Sequence, residues 1–298
     1  MNKSKVAIVS SRKALTSESG PDPQVVLRLV RRGLELLAGG AKAEEYLLSI
    51  IPPSHTVGLK INTIGRRALS TLPETAVAIG LWLGKTLGQE GQVIIWDRTN
   101  EELKDTGYKQ STSPEALRIF GTDSRGAGYQ TEPVIHRNIG SLFSRIQAEM
   151  VNSSISLAIL KDHGLAGVTA GMKNYFGAIH NPNKYHDTHC DPYVAELFEC
   201  QQIRNKHRLT VIDALKVQYH RGPSYHPQWA EKSQKFIISP DPVAADVVGW
   251  KLIEELRARK GLPSLKEEGR EPTYLFTAER LGLGQAKLEN IEVLEEEV

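Results

Sequence analysis

Short apolar runs alternate with longer amphipathic stretches along the first third of the chain. Residues 6–10 form a run of strand length, and residues 25–37 repeat their apolar positions at helical spacing before Gly39 and Gly40. Residues 56–61 read as a second strand. The stretch Pro73–Leu87 reads as a helix with proline in its first turn and Gly88 behind it, and residues 93–96 read as a third strand. This rhythm predicts βαβ units and a parallel sheet. Between residues 100 and 139 the periodicity breaks up around Gly121, Gly126 and Gly128, which predicts loops and small elements. Strands are predicted again at 155–160, 209–212 and 236–238. Helices are predicted at 194–200 and 243–259, and 291–294 reads as an edge strand returning to the first part of the chain.

The pattern predicts an α/β fold of two lobes: a mainly parallel, Rossmann-like sheet flanked by helices and a smaller α/β lobe, with a cleft between them. The first lobe is assigned to residues 1–150 with 240–298, the second to 151–239. A chain of 298 residues, 40% hydrophobic and 24% charged, has ordinary globular composition. Its 37 basic against 35 acidic residues leave a formal charge of +2, with no extended positive field for nucleic acid. No run approaches the roughly 18–20 apolar residues that cross a bilayer, so membrane insertion is not expected. The start of the sequence enters a strand pattern directly, which reads as cytoplasmic, or as periplasmic if an export signal has been removed. Two cysteines, Cys190 and Cys200, are too few for a disulfide framework or a four-thiolate cluster. Oligomeric state is left open.

Chemistry concentrates after the strand at 155–160. His163, His180, His186 and His189 are four of the nine histidines and lie within residues 163–189. Ligands in open α/β folds gather at the carboxyl ends of strands, where Lys161, Asp162 and His163 stand. The run GLAGVTAGMKN brings Thr169, Lys173 and Asn174 behind flexible glycines, so that backbone N–H groups are free to hold an anion; a plain turn solvated by Lys173 is the competing reading. It matches neither the dinucleotide fingerprint nor the phosphate loop. HDTHC spaces His186, His189 and Cys190 so that one turn aims two imidazoles and a thiolate at a divalent metal such as nickel, zinc or iron, unless these are loop residues bonded to backbone. Lys60 and Asn62 end the second strand, and Asp97 and Arg98 end the third. Each suits ligand binding, and Asp97 and Arg98 equally suit a local ion pair or cap. Asp241 precedes a helix-starting proline, as a cap does, while Asp246 falls on an apolar face and must be paired or face a cavity.

Taken together, VGLKIN, STLPETAVAI, VIIWDR, LKDHGLAGVTAGMKNYFGAIHNP, LTVIDAL, RGP, ISPDPVAADVVG and LGLG resemble the domain-of-unknown-function 362 family. Some members carry a twin-arginine export signal or a fused ferredoxin module, which implies an iron–sulfur partner for some. Neither feature shows in this sequence. More distantly, the order His163, GLAGVTAG, Lys173, His189, at intervals of ten and sixteen residues, resembles the nickel-pincer lactate racemase family. That resemblance implies His163 as general acid/base, Lys173 as the tether of a nickel-pincer nucleotide or a phosphate contact, and His189 as metal ligand with His186 competing for the role. The racemase pattern has a further upstream histidine that finds no counterpart here, where Asp97 or Lys60 stands instead. The expected activity is metal-assisted or pincer-dependent acid/base or hydride chemistry, racemase- or epimerase-like, on a small carboxylate-bearing substrate. The alternative is a non-catalytic metal-binding or iron–sulfur-associated electron-transfer accessory.

Overall fold

The computed structural model describes residues 3–16 and 20–298. The strands of its main sheet are β1 (Ser4–Ser10), β2 (Val57–Lys60), β3 (Val93–Asp97), β4 (Arg118–Gly121), β5 (Ser153–His163), β6 (Gly167–Thr169), β7 (His207–Gln218), β8 (Ala230–Ser239) and β9 (Ile291–Glu297). They form one sheet in the order β9-β1-β8-β7-β5-β2-β3-β4, with β6 folding back on β5. The block β7-β5-β2-β3-β4 is parallel throughout; β8 is antiparallel to both its neighbours, and β9 closes the edge parallel to β1. Residues 151–239 supply β5, β7 and β8, three adjacent strands at the centre of the same sheet whose edges come from residues 1–150 and 240–298.

Helices cover both faces, as a parallel sheet requires. On one face lie α1 (Pro23–Leu37), α2 (Ala43–Ile50) and α3 (Pro73–Leu87), burying Val26, Leu29 and Ile79 against Leu59, Ile95 and Leu157. On the other lie α5 (Tyr193–Glu199), α6 (Pro242–Arg259) and α7 (Tyr274–Arg280), packed with Trp96, Leu160 and Ile212. Strand alternation divides the two cores: Ile155 and Leu157 of β5 join the first, and Leu160 joins the second. All eleven residues of β5 are buried, its polar Ser156, Lys161, Asp162 and His163 together with the apolar residues between them.

Helix boundaries follow from local chemistry. The Asp22 carboxylate accepts from the Gln24 and Val25 N–H groups ahead of α1, and Asp241 accepts from Ala244 ahead of α6. Gly88, at φ 88°, ends α3 in a left-handed cap. The short α4 (Asn100–Thr106) starts on a Thr99 cap and occupies the segment where periodicity fails. Among the described residues, no helix is long and apolar enough to cross a membrane.

Candidate functional site

The carboxyl ends of β2, β3 and β5 are neighbours in the sheet, and beyond them lies a cavity of about 390 Å³. Because side chains alternate along a strand, Lys161 and His163 of β5 line this cavity while Asp162 turns the other way. Asp162 accepts from Arg270 Nη1 at 2.9 Å and from the Gly222 N–H at 2.7 Å, fixing the loops that flank the strand end. The wall is completed by Lys60 and Asn62 at the end of β2, Asp97 and Arg98 at the end of β3, Glu102 of α4, Thr169 at the end of β6, and Lys173, Asn174, Phe176 and His186 from the segment that follows.

Lys60 and Asp97 form a buried ion pair at 2.6 Å. The Lys60 ammonium also donates to the Ile61 carbonyl at 2.6 Å, and Asp97 accepts from the Thr63 N–H and hydroxyl and from the Arg98 N–H. Four donors therefore occupy the Asp97 carboxylate, which orders the strand ends more than it offers a free base. Asn174 donates to the Lys60 carbonyl at 2.7 Å and to Ser156 Oγ at 3.0 Å, stitching the site segment to β2 and β5. Gly177 must lack a side chain here: a Cβ would lie 2.7 Å from Lys60 Nζ and 3.0 Å from Asp97 Oδ1.

The glycine-rich run does bind an anion through its backbone, but that anion belongs to the protein. The Gly171 and Met172 N–H groups donate to the Asp246 carboxylate at 2.7 and 3.0 Å. This corrects the expectation that they are free for a ligand, and it gives buried Asp246 its partners. Burial still pushes its carboxyl up to about 7, against the pull of those N–H groups. The clamp fixes the backbone immediately before Lys173.

Lys161 differs from the other cations. It is 1% exposed, it lines the cavity, and its Nζ has no hydrogen-bond or ion-pair partner among the described residues. Burial, reinforced by the charge on Lys173, lowers its pKa to about 8. Burial likewise brings Lys173 down to about 8. Lys173 Nζ sits 3.1 Å from His186 Nε2 and 4.4 Å from the centre of the Phe176 ring. With Lys60 neutralised by Asp97, Arg98, Lys161 and Lys173 face one carboxyl group, Glu102, whose pKa burial raises.

Hydrogen bonds fix the two imidazoles in opposite senses. The Leu165 and Ala166 N–H groups both donate to His163 Nδ1, at 3.2 and 3.1 Å, so the ring proton sits on Nε2. Burial first, then the charge on Lys173, pushes this ring down to about 2, and it is a neutral donor. The His186 Nδ1–H donates to the Pro182 carbonyl at 3.2 Å, which leaves the Nε2 lone pair toward Lys173. The rings stack with centroids 5.5 Å apart.

His189 and Cys190 are not brought to the cavity. Thr188, His189 and Cys190 take left-handed φ of 47°, 60° and 63°, and the turn leaves His189 exposed with its Nδ1 3.1 Å from the Leu165 carbonyl. Cys190 is buried, and burial raises its thiol. Among the described residues, no three His, Cys, Asp or Glu side chains converge to hold a metal ion. A tethered pincer would have its lysine, Lys173, and the competing histidine, His186, at the cavity, while His189 lies exposed outside it.

The family described as Domain of unknown function (DUF362) matches residues 57–251, the span that carries β2 through most of α6 and every cavity residue named above. The chain belongs to this family. Its fold is also similar to that of the lactate racemase apoprotein from Thermoanaerobacterium thermosaccharolyticum, at 12% identity and a TM-score of 0.43, over 84% of this chain and 57% of that one. The chain thus spans little more than half the length of that protein. No curated protein matches the sequence.

Of the residues singled out in the sequence, the structure gathers Lys60, Asn62, Asp97, Arg98, His163, Thr169, Lys173, Asn174 and His186 around one cavity. Sequence reasoning placed Lys161 at a strand end without a role and passed over Glu102. Nothing in a linear pattern distinguishes a buried, unpaired lysine from a solvated one.

Proposed function

We propose that the cavity is an active site for acid/base chemistry, racemase- or epimerase-like, on a small carboxylate-bearing substrate. One observation carries this reading: Lys161 Nζ is buried at the cavity wall without a partner among the described residues. A buried cationic donor left unsatisfied is costly in isolation and becomes favourable when an anion completes it. Arg98 and Lys173 reinforce the positive lining. Asn62 Oδ1 is also buried at the same wall without a partner among the described residues and suits a hydroxyl or amino hydrogen on the carbon beside the carboxylate.

The remaining groups divide the proton chemistry. His163, locked as the Nε2–H tautomer, donates to a substrate oxygen on which negative charge develops. Lys173, partly uncharged near neutrality, takes the proton from substrate, and the lone pair of His186 accepts a hydrogen bond from the ammonium that results.

Titration calorimetry with lactate on the parent protein and on Lys161→Met tests the reading. The parent is expected to bind, and the variant to bind at least tenfold more weakly while melting no lower than the parent, because Met removes an unpaired buried charge without breaking a contact. Equal binding by the two proteins, or no binding by either, would overturn it.

A further inference from the structure

Eight large hydrophobic residues are exposed among the described residues, and two of them, Ile64 at 62% and Leu165 at 46%, line the rim of this one cavity. They come from separate segments. Ile64 lies on the loop after β2, and Leu165 lies at the turn between β5 and β6. Phe176, Pro182 and Pro223 continue the apolar lining between them. The charged group that would seize a carboxylate, Lys161, is buried. The site is therefore graded from a buried cationic wall to an exposed apolar rim.

Volume adds a second constraint. A cavity of about 390 Å³ is of the size that encloses ligands of roughly drug-like dimensions, well beyond a three-carbon acid. We infer that the substrate is an amphiphilic carboxylate, its acid group on Lys161 and a hydrocarbon or aromatic tail of several carbons lying across Ile64 and Leu165. The inference rests on the anion-binding reading above and extends it from a charged head group to the whole ligand. The tail covers the exposed side chains, and those side chains exclude water from the head group as the tail settles.

The test is a calorimetric series of straight-chain monocarboxylates from acetate to decanoate, on the parent protein, on Lys161→Met and on Ile64→Ser/Leu165→Ser. Parent affinity is expected to climb about fourfold per methylene, the increment of burying one CH₂, until the tail leaves the rim. The double serine variant is expected to flatten that climb. A slope of zero in the parent, or an unchanged slope in the serine variant, would overturn the inference while leaving the anion site standing. Loss of the rise together with concentration-dependent self-association that the serine variant abolishes would assign the rim to a second copy of the chain and overturn it as well. Acetate binding that survives Lys161→Met would remove the anion-binding reading itself.

Discussion

Replacing Lys60 by Met isolates the ion pair on which the strand ends rest. The ammonium is 1% exposed and holds Asp97 Oδ1 and the Ile61 carbonyl at 2.6 Å each, with Asn174 Oδ1 more distant at 3.4 Å. Methionine fills most of the same volume, so the change is electrostatic more than steric. Breaking a buried pair by removing one partner costs about 3–5 kcal/mol. Three donors from Thr63 and Arg98 remain on the carboxylate, which places the expected loss near the lower end, about 3 kcal/mol. Asp97→Asn alone strands the Lys60 charge and is expected to cost about as much. The double variant Lys60→Met/Asp97→Asn removes both charges, and its loss is expected to fall short of the sum by about 1–3 kcal/mol. Urea unfolding followed by circular dichroism reads all four proteins, with a constant slope as the condition for comparing them. A loss below about 1 kcal/mol for Lys60→Met, or strict additivity in the double variant, would refute the view that this pair anchors the site.

Gly177→Ala pushes a methyl group to 2.7 Å from Lys60 Nζ and is expected to cost about 1–3 kcal/mol in the same unfolding assay, with a smaller cost in the Lys60→Met background. His163 stays neutral in the folded chain down to about 2, while the unfolded ring takes up a proton at 6.5. Its contribution to stability is therefore complete above 6.5 and is lost as pH falls below it. The fall is about 1.4 kcal/mol per pH unit for one proton, and His163→Gln should flatten the stability profile between about pH 6 and 4 by that amount. An unchanged slope would count against a ring held neutral by burial. Lys161 and Lys173 should acylate with a pH midpoint near 8, well below that of solvated lysines, as mapped by peptide mass spectrometry. Lys173→Met should move the Lys161 midpoint upward only in part, since burial outranks the neighbouring charge.

The sheet was legible because each parallel strand buries both faces. The runs at 56–61, 93–96 and 155–160 announce themselves by composition, and prolines and left-handed glycines mark the helix ends. Even the closing edge strand could be read from its apolar positions, although its pairing with β1 depends on distant packing. Site residues at strand ends, Lys60, Asp97 and His163, were equally readable, since adjacent parallel strands deliver their carboxyl ends to one place. Strand β7 was harder. The apolar run predicts it only at 209–212, but the strand continues to Gln218 across an irregular register.

The segment at 182–190 resisted a linear reading altogether. Short helical turns and a run of left-handed residues, Thr188 to Cys190, carry His189 to the surface while His186, three residues earlier, stays at the cavity. The glycine-rich run misled for a different reason: its anion, Asp246, lies far along the chain in α6. Partnership is a property of the fold. The same holds for Lys161, whose significance lies in the hydrogen bonds it does not make.

A crystal structure with lactate tests the anion site most directly. A lactate carboxylate oxygen within about 3.2 Å of Lys161 Nζ, with the hydroxyl turned toward Asn62 Oδ1, is the expected result. Lactate bound away from Lys161, or Lys161 Nζ paired with a protein acceptor while the cavity holds only water, would contradict it.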